Sequence, residues 1–382
     1  MTGSGLRVGI VAPSFAPFRG GVETYVATAA SALAGEGVDV TVITQVPKSA
    51  GLPRDSVRDG YAVERHVLPV ADKFDVPSVA AATAASRPGR FDVLWLHNYH
   101  SPLAWLVAER TRCPIVFTPH YHGVGHTPLR RALHVAYRPA GRRIMTASRR
   151  VVAVTEAEAA LLHRDFPREL RQKVAVIPTA VPDPLDGHPP IHNAPNMVLT
   201  VARQEPYKRT DLLIRAISRL RQRQVSARLV VIGDGAALAA SQHLVDALEL
   251  KDMILFTGAV DDETLTGNWA AASMYASASE QEAYGIGVAQ ALVAGLPVAA
   301  SDIPAHRELV QRAGSHAAAR LCDLTGSDDE TAGIFADAIA ELLTDAGSSS
   351  DRSALCTLPR TSDMVQQLLH NLSEVSDMVR GS

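Results

Sequence analysis

Short apolar runs bounded by Gly, Pro and Asp alternate along this chain with amphipathic stretches of about 10 to 18 residues. Such alternation predicts βαβ units on parallel sheets. In the first half, strands are expected at 6–12, 38–44, 92–97, 114–118, 150–154 and 174–178, and helices at 21–34, 102–110 and 129–147. The segment 178–196, PTAVPDPLDGHPPIHNAPN, then brings six prolines without apolar periodicity and reads as an interdomain linker.

After it the rhythm restarts. Strands are expected at 197–202, 228–232, 253–256, 273–276 and 297–300, with helices at 210–223, 236–249, 262–271 and 286–294. A Ser-rich, acidic break at 347–351 precedes a last amphipathic helix at 361–378. The expected fold class is α/β, with two tandem Rossmann-like doubly wound domains at 1–180 and 197–360, a linker at 181–196, and a terminal helix, 361–382, crossing back to the first domain.

A length of 382 residues fits two cores better than one. The apolar fraction of 47% and charged fraction of 20% exclude disordered, fibrous and disulfide-scaffold classes. The opening MTGSGLRVGIVAPSF lacks the apolar region of a signal peptide, and no run of 18 apolar residues occurs, so a cytoplasmic protein is expected. Cys113, Cys322 and Cys356 show no CxxC spacing and read as reduced core residues. The net charge of −3 hides an asymmetry: residues 1–190 hold 22 Lys and Arg against 16 Asp and Glu, the rest 15 against 24. A few cations in a negative second half suit a specific anion site.

In open parallel sheets ligands sit beyond the carboxyl ends of the strands. Four loops there are unusual. After the first strand, Gly20 and Gly21 open a helix whose amides could meet an anion. After the first strand of the second half, Arg203 and Lys208 lead into a helix N-terminus, a favourable place for two cations only if an anion joins them. Gly233 and Gly235 make a tight turn after the β-branched run 228–232. In ASASEQEAYGIGVAQALVAGLPV, Glu282 ends a strand and Gln290 lies one turn into the next helix. Both can therefore face one ligand, while amides near Gly285, Ile286 and Gly287 point at its phosphates.

In order and spacing these motifs resemble the GT-B glycosyltransferases of glycosyltransferase family 4, which are retaining enzymes using nucleotide diphosphate sugars. The R-x4-K pattern stands at Arg203 and Lys208, the GDG turn at Gly233-Asp234-Gly235, and the E-x7-E segment at Glu282 to Gln290, followed by Gly295-Leu296-Pro297-Val298. The resemblance implies that Arg203 and Lys208 bind the diphosphate and stabilise its growing charge, that Glu282 holds sugar hydroxyls, and that position 290 holds the ribose. It also implies that His120 contacts the sugar near its reacting carbon and that Gly20 and Gly21 close on the phosphates.

Gln290 departs from the family's Glu, and Pro178-Thr179-Ala180 from its P-N-G. An amide still bonds a diol but without charge assistance, so weaker nucleotide binding is expected. With no D-x-D, a metal-independent transfer of a hexose from a UDP-sugar is expected, with no cofactor beyond the donor. The five histidines His97, His100, His120, His122 and His126 favour acceptor and sugar contacts over a metal. Between Glu109 and Glu156 every charged residue is arginine, which suits a phosphorylated or lipid-linked acceptor, or peripheral membrane contact through 130–150. A natural-product acceptor of the aminocyclitol kind is the alternative suggested by composition. No nucleic-acid partner is expected. The rivals are a nucleotide-sugar epimerase, an NAD-linked oxidoreductase and a silent nucleotide-sugar binding protein.

Overall fold

The computed structural model describes residues 5–18, 20–70, 76–123, 128–185, 196–344, 353 and 355–380, the side chains of 128–134, 136, 379 and 380 excepted. It divides into two compact units, Met1–Ala180 with Pro359–Ser382, and Val181–Leu358. Both are α/β, so the doubly wound class read from the sequence stands.

The first unit is built on eight strands: β1 Arg7–Val11, β2 Asp39–Val46, β3 Asp55–Arg58, β4 Tyr61–Val67, β5 Val93–His97, β6 Ile115–Thr118, β7 Arg150–Ala153 and β8 Val174–Val176. Their spatial order is β3-β4-β2-β1-β5-β6-β7-β8. All neighbours are parallel except β3 and β4. Helices lie on both faces, which is why β5, VLWLH, is buried at every position. They include α1 Gly21–Gly35, α2 Val79–Ala85, α3 Pro102–Arg110, α4 Pro128–Ala147, α5 Glu156–Asp165 and α6 Pro167–Leu170. Leu94 and Leu96 of β5, Phe117 of β6, Val107 of α3 and Ile144 of α4 share one core.

The β3–β4 hairpin departs from the all-parallel expectation. Its two-residue turn is Asp59-Gly60, both at positive φ, the type I′ geometry that matches the strand twist. The last helix of the chain, Thr361–Arg380, also belongs to this unit and packs on α1. Its apolar face of Met364, Leu368, Leu372 and Val375 is buried, and Glu374 meets Arg150 at 2.7 Å.

The second unit has six parallel strands: β9 Met197–Val201, β10 Arg228–Ile232, β11 Ile254–Gly258, β12 Met274–Ser277, β13 Val298–Ser301 and β14 Ala319–Cys322. The order β11-β10-β9-β12-β13-β14 reverses direction between β9 and β12, so the crevice for a ligand opens beyond the ends of those two strands. Helices α7 Thr210–Gln222, α8 Leu238–Ala247, α9 Asp262–Ala271, α10 Ile286–Val293, α11 Pro304–Ala313 and α12 Asp328–Leu343 flank the sheet. Leu213, Ile217 and Leu220 of α7 share a core with Phe335, Ile339 and Leu342 of α12.

Elements α11, β14 and α12 occupy a stretch that the hydrophobic pattern left unassigned. Of the Pro-rich linker, 186–195 lies outside the described residues. Its first part is partly buried: Ala180, Val181 and Leu185 are buried while Pro182 and Asp183 are exposed, and the Ala180 amide donates to the Met364 sulfur at 3.3 Å. The break at 347–351 also lies outside the described residues. No helix among the described residues is long and apolar enough to cross a membrane.

Candidate active site

At the switch point of the second sheet, the loops after β9 and β12 are tied together by their own backbones. The Glu280 amide donates to the Tyr207 carbonyl at 2.8 Å. Across this junction Lys208 Nζ meets Glu282 Oε1 at 2.5 Å, with both side chains largely buried. Burial alone would discharge both groups. The pairing outweighs it: the Glu282 carboxyl is held below its ordinary value and the Lys208 ammonium above its own.

Gln204, fully buried, pins the first loop. Its amide donates to the Ala202 carbonyl at 2.8 Å and accepts from the Thr210 hydroxyl at 2.8 Å. The turn after β10 supports it from outside. Gly233, at φ 123°, lies so close to Ala202 that a Cβ would strike that carbonyl. The sequence marks Gly233 as part of a tight turn and a nucleotide-binding candidate; in the structure it packs against the loop that carries Arg203 and Lys208. Arg203, exposed at the loop's crest, makes no ion pair among the described residues. Two cations thus share one edge, one neutralised by Glu282 and one open to an anion.

Gly285, at φ 98°, starts α10, and Ile286, Gly287 and Gln290 follow on its first turns. A Cβ on Gly287 would strike the Tyr275 hydroxyl, so this helix start sits hard against β12. Position 290 is half-buried on the same helix.

Arg209 escaped the sequence reading. It stands at φ 49° at the start of α7, with its guanidinium bonded to Asp211 at 3.1 and 3.0 Å, Glu280 at 3.1 Å and Asp328 at 2.6 Å. These bonds and charges raise its pKa further and bolt the two loops to α12. Its adjacency to Lys208 was the only signal available in the sequence.

In the first unit, His120 follows β6 at φ 50°, a left-handed conformation uncommon outside glycine. The next amide, of Tyr121, donates to Glu158 Oε1 at 2.5 Å, and the Val154 amide donates to Oε2 at 2.7 Å. Glu158, buried on α5, therefore locks the peptide that follows His120. Burial pushes its carboxyl up to about 8, against the opposing pull of those two amides. His97 ends β5, with its Nδ1 3.3 Å from His120 Nε2 and the two rings nearly parallel. Burial keeps both neutral, driving His120 down to about 3 and His97 well below its ordinary value. Tyr25 of α1 packs edge-on against both rings.

Gly20, the extended residue before α1, lies beside the Glu23 carboxylate, which accepts a hydrogen bond from Ser14; Gly21 is the first helical residue. His126 lies outside the described residues, and among those described no three of His, Cys, Asp and Glu are gathered as a metal-holding group. Of the arginines in 110–150, Arg143 pairs with Glu109, Arg142 with Glu169 and Arg150 with Glu374, while Arg138 donates to the Asp165 carbonyl. These partners engage four of the arginines of that segment, and the side chains of Arg130 and Arg131 lie outside the described residues.

Two family descriptions match consecutive halves: Glycosyltransferase Family 4 over residues 19–183 and Glycosyl transferases group 1 over 186–354. Among curated proteins, the D-inositol 3-phosphate glycosyltransferase of Mycolicibacterium smegmatis is 29% identical over 314 residues, 74% of this chain and 71% of that one. The protein of the same name from Xylanimonas cellulosilytica is 28% identical over 375 residues, 86% of this chain and 84% of its own. Among solved structures, sucrose-phosphate synthase of Thermosynechococcus elongatus superposes with a TM-score of 0.73 at 19% identity, covering 98% of each chain. HepE of Anabaena, solved with UDP and glucose, gives a TM-score of 0.71 at 16% identity over 97% of this chain and 100% of that one. Two family matches in tandem, on two doubly wound units with these loops, show that the chain belongs to glycosyltransferase family 4 and is a GT-B hexosyl-transferring glycosyltransferase.

Proposed function

We propose that this chain moves a hexose-type sugar, with retention, from a nucleotide diphosphate sugar, a UDP-sugar first, to a hydroxyl of a small-molecule acceptor. The observation that carries this reading is the ionised Lys208–Glu282 pair beside exposed Arg203 at the switch point. Arg203 and Lys208 bind the diphosphate and stabilise the negative charge that grows as the sugar–oxygen bond breaks. Glu282, oriented by Lys208, accepts from sugar hydroxyls, and His120 contacts the sugar near its reacting carbon. The acceptor oxygen bonds that carbon on the face the diphosphate leaves, and its proton passes to the departing phosphate oxygen. A cyclitol-like acceptor is favoured by the names of the curated relatives.

A panel of UDP-, GDP-, ADP- and dTDP-sugars, read by thermal shift and by nucleotide release, tests the reading. One UDP-sugar should raise the melting temperature and be slowly hydrolysed. Absence of both effects with every donor overturns the proposal, and isomerised sugar without an acceptor would indicate an epimerase. Gln290→Glu should strengthen binding of the free nucleotide about fivefold, because a charge-assisted bond to the ribose diol is worth roughly 1 kcal/mol more than a neutral one. Calorimetric titration checks this, and unchanged affinity would detach position 290 from the ribose.

A further inference from the structure

We infer that His97 is a positioning residue that holds His120 in the tautomer carrying its proton on Nδ1. The inference rests on the assignment of His120 to the sugar site for its functional meaning, but not for its geometry. The polar contact between the two rings is His97 Nδ1 to His120 Nε2 at 3.3 Å, a hydrogen-bond distance that places a proton between those nitrogens, and with both rings neutral only one of them supplies it.

Two arrangements satisfy that contact. If His120 donated, His97 would have to carry its own proton on Nε2. That nitrogen is buried and has no hydrogen-bond partner among the described residues, so an N–H there would be orphaned. If His97 donates from Nδ1, the same nitrogen holds only a lone pair, the less costly of the two unsatisfied states. His120 Nε2 is then the acceptor, and its proton must sit on Nδ1. His97 is itself held by the walls around it: Trp95 at 4.6 Å between ring centroids and Tyr25 at 5.7 Å, with the Trp95 indole tied to the Thr118 hydroxyl at 2.8 Å.

The consequence concerns ligand choice. With Nε2 engaged, the half-buried His120 ring meets a ligand as a hydrogen-bond donor at Nδ1, suited to an oxygen lone pair of a sugar hydroxyl rather than to taking a proton. A buried histidine thereby sets the hydrogen-bond polarity of one that faces substrate.

Nitrogen-15 spectra of the histidine-labelled, ligand-free protein test this, with signals assigned through His97 and His120 variants. In the wild type, His120 should show a protonated Nδ1 and an unprotonated Nε2, the reverse of the preference in water. His97→Phe, folded by its melting curve, should return His120 to the Nε2-protonated form. His97→Asn, whose amide nitrogen stands near the place of Nδ1, should keep the Nδ1-protonated form. A wild-type His120 protonated on Nε2, or no change in His97→Phe, overturns the inference. The spectra need no donor, so this result stands apart from whether any nucleotide sugar is turned over.

Discussion

Lys208→Ala should lower turnover a hundredfold or more while the protein remains folded. In the proposed reaction the ammonium faces a charge that exists in full only as the diphosphate departs, so its loss should fall on the transition state more than on the bound donor. The same substitution strands the Glu282 carboxylate, and breaking a buried pair by removing one partner costs about 3–5 kcal/mol of stability. Lost activity could then be lost protein. Lys208→Ala combined with Glu282→Gln separates the two effects, because it removes the stranded charge: melting temperature should recover and turnover should not. Steady-state kinetics beside melting curves read both, and near-normal turnover in either folded variant would remove Lys208 from the mechanism.

The pH dependence of this pair has a definite sign. The Glu282 carboxyl lies below its ordinary value in the fold, so its stabilising contribution is present at neutral pH and is lost only on acidification. The Lys208 ammonium lies above its ordinary value, so its contribution is lost only in strong alkali. Neither group titrates near neutrality, and His120 is already neutral there.

The switch-point site was legible because its parts lie on loops that interrupt strong apolar runs. Arg203, Lys208, Glu282 and Gln290 stand out where a chain with ordinary surface needs would place solvated residues. Their joining across β9 and β12 follows from the strand order of the second sheet, of which the βα rhythm gave only the doubly wound class. The bonds that brace the loops were not legible. Arg209 reaches Glu280 and Asp328, 71 and 119 residues away, and nothing local distinguishes it from its neighbour. His97 and His120 were both conspicuous, yet their pairing depends on the β5–β6 register, Leu96 opposite Phe117 and His97 opposite Thr118. The β3–β4 hairpin did carry a signal, Asp59-Gly60 between Val57 and Tyr61, which the dominant parallel pattern obscured. Glu158 drew no notice in the sequence, since only the fold shows that both its oxygens turn back onto backbone amides.

That carboxyl makes the second large prediction. Glu158→Gln is nearly isosteric, but an amide NH2 accepts nothing, whereas both oxygens of the carboxyl, protonated or not, keep a lone pair for the two N–H donors. Either the Tyr121 or the Val154 amide is left facing an NH2 group, at a cost of about 1–3 kcal/mol. Because the Tyr121 amide follows His120, and His120 is held at φ 50°, the peptide loses the bond that opposes its relaxation. On the proposed contact of His120 with the sugar, turnover should fall about tenfold, as expected when a contacting group drifts from its productive geometry. The sign of the pH effect distinguishes this from ordinary destabilisation. With its carboxyl raised to about 8 in the fold, wild-type Glu158 favours folding most where it is protonated in both states, at acid pH. That advantage is lost progressively as pH rises from the ordinary carboxyl range through about 8, by a few kcal/mol. The amide of the variant cannot titrate, so the difference in stability between wild type and variant should shrink steadily over the same range. Denaturant unfolding at a series of pH values from mildly acidic to mildly alkaline measures that difference, and a constant gap across the series would show that Glu158 stays ionised in the fold and that burial does not govern it.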